Sequence, residues 1–176
     1  MRFILYVLGI GLIVAITFGL FGVWGWHGFV PNVLLLVIIS MALAFNNLDY
    51  LVVGLLGGIW LDTAYGLPIG SFAIPFIVCG MASSLAFQRW LFTEVTWKHF
   101  IIATILATIA VNFWIWVYTN GLFLVNWSPF AIDGKQLLRN GMLLLVANIL
   151  LAYPVYVIVE LIAQSSTRFK RNKIKL

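Results

Sequence analysis

The sequence predicts an all-α integral membrane protein, a bundle of six transmembrane helices. Of its 176 residues, 64% are hydrophobic and only 9% are charged, and the mean hydropathy is +1.10. A soluble domain is about 45–50% apolar and about 25% charged, so the composition indicates a membrane protein. Because each span takes about 20 residues, six spans leave no room for a separate soluble domain. We therefore expect one transmembrane domain over residues 1–167.

The spans are predicted from apolar runs separated by short polar or Gly-containing segments. The first run follows Arg2 and has no convincing small-residue cleavage site, which favours a retained span over a signal peptide. The second, third and fourth runs are short, and we expect helices that are little tilted or buried among longer neighbours. The predicted spans are residues 3–24, 31–45, 50–65, 71–87, 99–118 and 137–163.

The placement of the basic residues predicts the orientation. With both termini in the cytoplasm, eight of the ten Lys and Arg residues lie inside and only Lys135 and Arg139 lie outside, which follows the positive-inside rule. Residues 168–176 form a basic cytoplasmic tail that suits the anionic lipid of the inner leaflet. A short basic run directly after an apolar helix is a topogenic anchor, so we expect no nucleic-acid partner. The tail cations are Arg168, Lys170, Arg171, Lys173 and Lys175.

The third predicted span carries small residues and an acid on one face. Gly54, Gly58 and Asp62 are spaced four residues apart, so they share one side of a helix. Glycines on such a face let a second backbone approach closely. We therefore expect Gly54 and Gly58 to form a packing surface, with Asp62 at its end.

A tight turn follows this face. Gly66 is suited to the positive φ that ends a helix, and Pro68 prevents the helix from continuing. Gly70 and Ser71 are expected to start the next helix, with the Ser71 hydroxyl accepting a free N–H. The stretch thus predicts two helices joined by a tight turn with an acid near it.

Asp62 has three possible roles. An acid within a span is by default a candidate functional residue, because its burial is costly unless it is paired or hydrated. On the predicted topology Asp62 lies near the outer end of its helix, where it can brace the turn by accepting its N–H groups. Contact with a partner or ligand, and proton or ion chemistry, are the alternatives. Arg139, at the outer start of the sixth span, is the natural counter-charge for an ion pair.

The remaining polar residues do not predict a reaction centre. His27 and His99 are placed on opposite sides of the membrane and have no ligand at metal-binding spacing. Glu160 lies next to the basic tail, which favours a snorkelling or tail-paired acid. No Ser or Thr has a nearby base, and no second span carboxylate accompanies Asp62 towards the outer side. We expect no catalytic, cofactor-binding or metal site.

The pattern of the central stretch resembles the rod shape-determining protein MreD family. The resemblance is carried by the helix-packing positions and by the turn that follows them, about a tenth of the chain. The surrounding plan of short hairpins, several spans and a basic cytoplasmic tail is similar as well. The matching residues are Gly54, Gly58, Asp62, Pro68 and Gly70, with Gly66 in the turn.

The resemblance implies a non-catalytic inner-membrane component of the bacterial cell-elongation machinery that supports peptidoglycan synthesis. Its implied partners are an MreC-like scaffold, an MreB-like filament, directly or indirectly, and a cell-wall synthase. The alternative is a substrate-binding subunit of an energy-coupling-factor vitamin transporter, whose six-helix fold MreD-like proteins are thought to resemble. The alanine stripe of this chain, at Ala103, Ala107 and Ala110, lies in the fifth span and not in the first, where those transporters carry their docking alanines.

Overall fold

The computed structural model describes residues 9, 11, 12, 15, 31–44, 48–86, 97–127 and 131–173, with side chains beyond residue 159 described only at 161. Every regular element in these ranges is an α-helix, which confirms the predicted all-α class. The helices are α1 (Val33–Ala44), α2 (Asp49–Ala64), α3 (Ala73–Ala86), α4 (Trp97–Leu124) and α5 (Gly134–Lys173). The first predicted span, residues 3–24, lies almost entirely outside the described residues.

The long helices α4 and α5 are the two that meet the length and composition of a membrane span. In the described residues, Trp97–Leu124 and Gly134–Val159 are long and apolar enough to cross a bilayer. Only 28% and 22% of the residues in their most apolar windows are buried, whereas a core helix of a soluble domain is mostly buried. Their exposed apolar surface therefore fits contact with lipid.

The other three helices are shorter than a full crossing. They have 12, 16 and 14 residues, against the roughly 20 that a span needs. Of the six predicted spans, two thus reach spanning length among the described helices. Helix α5 also runs beyond its predicted end, since its backbone remains helical through Lys173 and includes the first part of the basic tail.

Helix α1 lies at the centre of the bundle. It packs against all four other described helices, while α2 pairs with α3 and α4 pairs with α5. Its sequence is apolar all round, which is typical of a helix buried on every side. Five of its large apolar side chains are at most 2% exposed: Leu34, Leu35, Leu36, Ile38 and Ile39.

A buried polar network joins the start of α1 to the middle of the two long helices. The Asn148 Oδ1 accepts the N–H of Asn32 at 2.8 Å, and the Asn148 Nδ2 donates to the Thr108 Oγ1 at 2.9 Å. The Asn32 side chain in turn accepts the N–H of Leu35 at 3.1 Å and so caps α1. Asn148 is fully buried. Its carboxamide therefore fixes the depth at which α1 begins relative to α4 and α5.

We expect Asn148→Leu to lower the free energy of unfolding by about 1–3 kcal/mol, because it leaves the Asn32 N–H without its acceptor and Thr108 without its donor. Gln136→Leu, at an exposed position of the same helix, is the control and should change stability little. Thermal unfolding of the purified protein in detergent measures both. Equal stability of the two variants would contradict a role for the network.

Candidate functional site

The end of α2 has the hydrogen-bond pattern of a Schellman motif. The N–H of Leu67 donates to the carbonyl of Asp62 at 2.9 Å, and the N–H of Gly66 donates to the carbonyl of Thr63 at 3.2 Å. Gly66 has a φ of +64°, the left-handed conformation that the motif requires. Because a residue with a Cβ is strained there, the glycine explains why α2 ends at this point.

The carboxylate of Asp62 holds the far side of the turn. Its Oδ2 accepts the N–H of Gly70 and its Oδ1 accepts the N–H of Phe72, both at 2.7 Å. The residue is fully buried. Phe72 directly precedes α3, so the negative charge lies at the N-terminal end of that helix, where the helix dipole favours it. One side chain of α2 therefore closes the turn, which comprises residues 65–72, and caps the helix that follows it.

Ser71 does not have the capping role predicted for it. Its hydroxyl donates to the carbonyl of Pro68 at 2.7 Å instead of accepting an N–H from α3. The prediction was wrong because it considered only residues adjacent to the helix start. A carboxylate from ten residues earlier in the chain reaches the Phe72 N–H, and a charged acceptor makes the stronger hydrogen bond.

Helix α4 contributes two aromatic side chains to the same turn. The indole N–H of Trp114 donates to the carbonyl of Gly70 at 3.1 Å, and the Tyr118 hydroxyl donates to the carbonyl of Ile69 at 2.9 Å. The two rings are stacked with centroids 5.6 Å apart. Gly70 has a φ of +103°. Its N–H is thus bonded to α2 and its carbonyl to α4, which holds the turn between the two helices.

Gly58 is the position where α2 and α3 approach most closely. A Cβ added there would lie 2.3 Å from the Ala73 Cα and 2.6 Å from its nitrogen, both backbone atoms that cannot move aside. At Gly54 the nearest atoms would be 3.6 Å away, which is ordinary contact. A Cβ at Gly57 would meet the Leu34 side chain of α1 at 2.4 Å. Close packing of α2 against α3 therefore depends on Gly58 more than on Gly54, whereas at Gly57 the Leu34 side chain would have to shift.

Arg139 is not brought to Asp62. Its side chain is exposed near the start of α5, and α2 packs mainly against α1 and α3. Both carboxylate oxygens of Asp62 already accept backbone N–H groups. Backbone donors within the same hairpin therefore take the place of the predicted ion pair with Arg139.

Pro68 lies in the turn as predicted, between the two positive-φ glycines, Gly66 and Gly70.

Several other predicted residues fall where their side chains are not described. His27 lies outside the described residues, and the side chains of Glu160 and of the tail cations are not described, so their roles remain predictions. Among the residues that the structure covers, no three His, Cys, Asp or Glu side chains come together as a metal site.

The arrangement around Asp62 can hold a turn rigidly but offers little for a reaction. A catalytic acid or base needs a substrate or water within hydrogen-bond reach. Here both oxygens are bonded to the backbone and the residue has no exposed surface. This is the geometry of a brace, the first of the three roles considered for this acid.

Sequence reasoning missed two contributors to this part of the molecule. Trp114 was given no part in the turn, although its indole N–H donates to the carbonyl of Gly70. Asn148 was not singled out at all. The available signal was a carboxamide in the middle of a long apolar helix, a position where a polar side chain requires a partner.

No family model matches the chain, and neither a curated protein nor a solved structure matches it.

Gly58→Ala and Gly54→Ala form a matched pair on one helix face. We expect Gly58→Ala to cost about 1–3 kcal/mol or to prevent folding, because its methyl group overlaps the backbone of Ala73. Gly54→Ala should be neutral or stabilise by up to about 1 kcal/mol, since Ala is the better helix former. Thermal unfolding in detergent compares them. Equal losses at both sites would contradict the assignment of the close contact to Gly58.

Asp62→Asn should cost about 1–3 kcal/mol, because an amide has a single acceptor oxygen and leaves one buried N–H unpaired. Gly58→Leu should cost more than this. Arg139→Gln should have a small effect, and the double variant with Asp62→Asn should show the sum of the two single losses. A double-mutant cycle on unfolding free energies measures this. A coupling energy above about 0.5 kcal/mol between the two substitutions would indicate that Asp62 and Arg139 do form an ion pair.

Proposed function

We propose that this chain is a non-catalytic, multi-pass component of the bacterial inner membrane that serves the cell-elongation machinery. The observation that carries the proposal is the hairpin of α2 and α3, in which Gly58 lies against the backbone of Ala73 and the Asp62 carboxylate accepts the N–H of Gly70. Gly58, Asp62 and Gly70 belong to the pattern that resembles the MreD family. Each has a structural task that a change of residue type would disturb.

An interaction role is supported by the contrast between the buried site around Asp62 and the exposed surface of α4 and α5. Asp62 is sealed inside the bundle, while large apolar side chains of α4 and α5 face outward. Leu106 and Leu150, for example, are 63% and 65% exposed. In a membrane such surfaces contact lipid or the spans of other proteins. The proposed partners are an MreC-like scaffold, a cell-wall synthase and, directly or indirectly, an MreB-like filament.

The proposed topology has six spans with both termini in the cytoplasm. The 65–72 turn and Ile132 both contact the C-terminal half of α4, through Tyr118 and Asn120 respectively. This common end of the bundle is the one assigned to the outer side, and the basic tail after α5 is assigned to the inner leaflet.

A vitamin-uptake subunit is the competing function. It needs polar groups that converge on a ligand cavity from several helices. Asn32, Thr108 and Asn148 do converge, but they bond one another and form a closed network. Polar groups that satisfy each other are not available to a ligand, which favours the interaction role.

Depletion of the protein in its own bacterium tests the proposal. We expect rod-shaped cells to become round while vitamin uptake stays normal. Expression of Gly54→Ala should restore the rods, and Gly58→Leu should not, with membrane abundance measured by immunoblot for both. Rods that stay normal on depletion, accompanied by an uptake defect, would overturn the proposal in favour of the transporter.

A further inference from the structure

An apolar groove runs between α4 and α5 on the exposed surface of the bundle. It encloses about 260 Å³, and its interior is formed by Thr108 and Asn112 on one helix and by Gly141 and Leu145 on the other. The side-chain amide of Asn112 donates to the carbonyl of Thr108 at 2.8 Å, so one of its two N–H groups is satisfied within α4. Gly141 opens the groove, because a Cβ there would have no heavy atom nearer than 3.9 Å.

The rim of the groove is bulky and exposed. Ile109 and Phe113 are 55% and 61% exposed, and Leu138 and Met142 are 64% and 65% exposed. Close helix–helix packing in membranes uses runs of small residues, and the groove has a single glycine between large side chains. A flexible hydrocarbon chain follows such a groove more readily than a rigid helix does.

Two cations near the start of α5, Lys135 and Arg139, share the helix register of the groove's rim. Lys135 precedes Leu138 by three residues and Met142 by seven, so it shares their helix face. Arg139 lies one turn further along, and both cations are exposed. From Lys135 to Leu145 the helix rises about 15 Å. Asp133 is the one acid between residues 113 and 145, so the balance of charge in this stretch is positive.

We propose that this groove binds an anionic phospholipid, with one acyl chain between α4 and α5 and the phosphate at Lys135 and Arg139. The positive charge of the two cations complements a phosphate group, and the apolar interior complements the chain. The proposal rests on the membrane placement given above and does not depend on a role in cell elongation. It gives a function to the only two cations predicted on the outer side.

Native mass spectrometry of the purified protein tests the site. After reconstitution in bilayers of equal phosphatidylglycerol and phosphatidylcholine, we expect one phosphatidylglycerol to be retained preferentially. Gly141→Phe should abolish this retention by filling the groove. Gly121→Phe, at a helical glycine that also has open space, is the matched control and should retain lipid as the unaltered protein does. Lys135→Gln and Arg139→Gln should each weaken retention about fivefold.

Three outcomes would overturn the proposal. Retention of phosphatidylglycerol by Gly141→Phe at the unaltered level would place the lipid elsewhere. Equal retention of both lipids would indicate a non-selective contact with hydrocarbon. If the unaltered protein carries a second protein chain that Gly141→Phe loses while lipid retention is unchanged, the groove is a protein interface. Since retention is measured on purified protein, failure here is distinguishable from failure of the elongation role, which is read from cell shape.

Discussion

The hydrogen bonds from Gly70 and Phe72 to the Asp62 carboxylate hold together the part of the fold that is most specific to this sequence. A buried carboxylate without partners would cost several kcal/mol, and here each oxygen accepts a backbone N–H at 2.7 Å. Because the donors belong to the backbone, the contact fixes the path of the chain itself. It sets where α3 begins and allows Trp114 of α4 to bond the same turn.

The glycine at position 58 is the condition for that contact. Asp62 reaches the turn because the backbones of α2 and α3 pass close to each other one turn earlier, at Ala73. A side chain at Gly58 would separate the helices and move the donors away from the carboxylate. The Asp62 carboxylate and the absence of a side chain at Gly58 are thus both needed for the same contact. Both follow from the same requirement, a short helical hairpin whose polar backbone ends are satisfied without water.

The centre of the bundle depends on a second, independent polar contact. Helix α1 is apolar on all sides, so hydrophobic burial alone gives it no preferred depth or rotation among its neighbours. Asn148 supplies both by bonding the Asn32 N–H and the Thr108 hydroxyl. These groups lie far apart in the sequence. The network therefore could not be predicted from spacing along any single helix, although the buried carboxamide itself was visible in the sequence.

The all-α class, the order of the helices from residue 31 onward and the tight turn could be predicted from the chain alone, because hydropathy, Gly66 and Pro68 act through neighbouring residues. The partners of the polar groups, by contrast, follow from tertiary packing. It gave Asp62 backbone donors in place of Arg139, replaced Ser71 as the cap of α3, and placed Gly57 against Leu34 of α1. The physical reason is that hydrogen bonds and close contacts are chosen by distance in space. Local sequence specifies which groups need partners, and only the packed helices specify which partner is near.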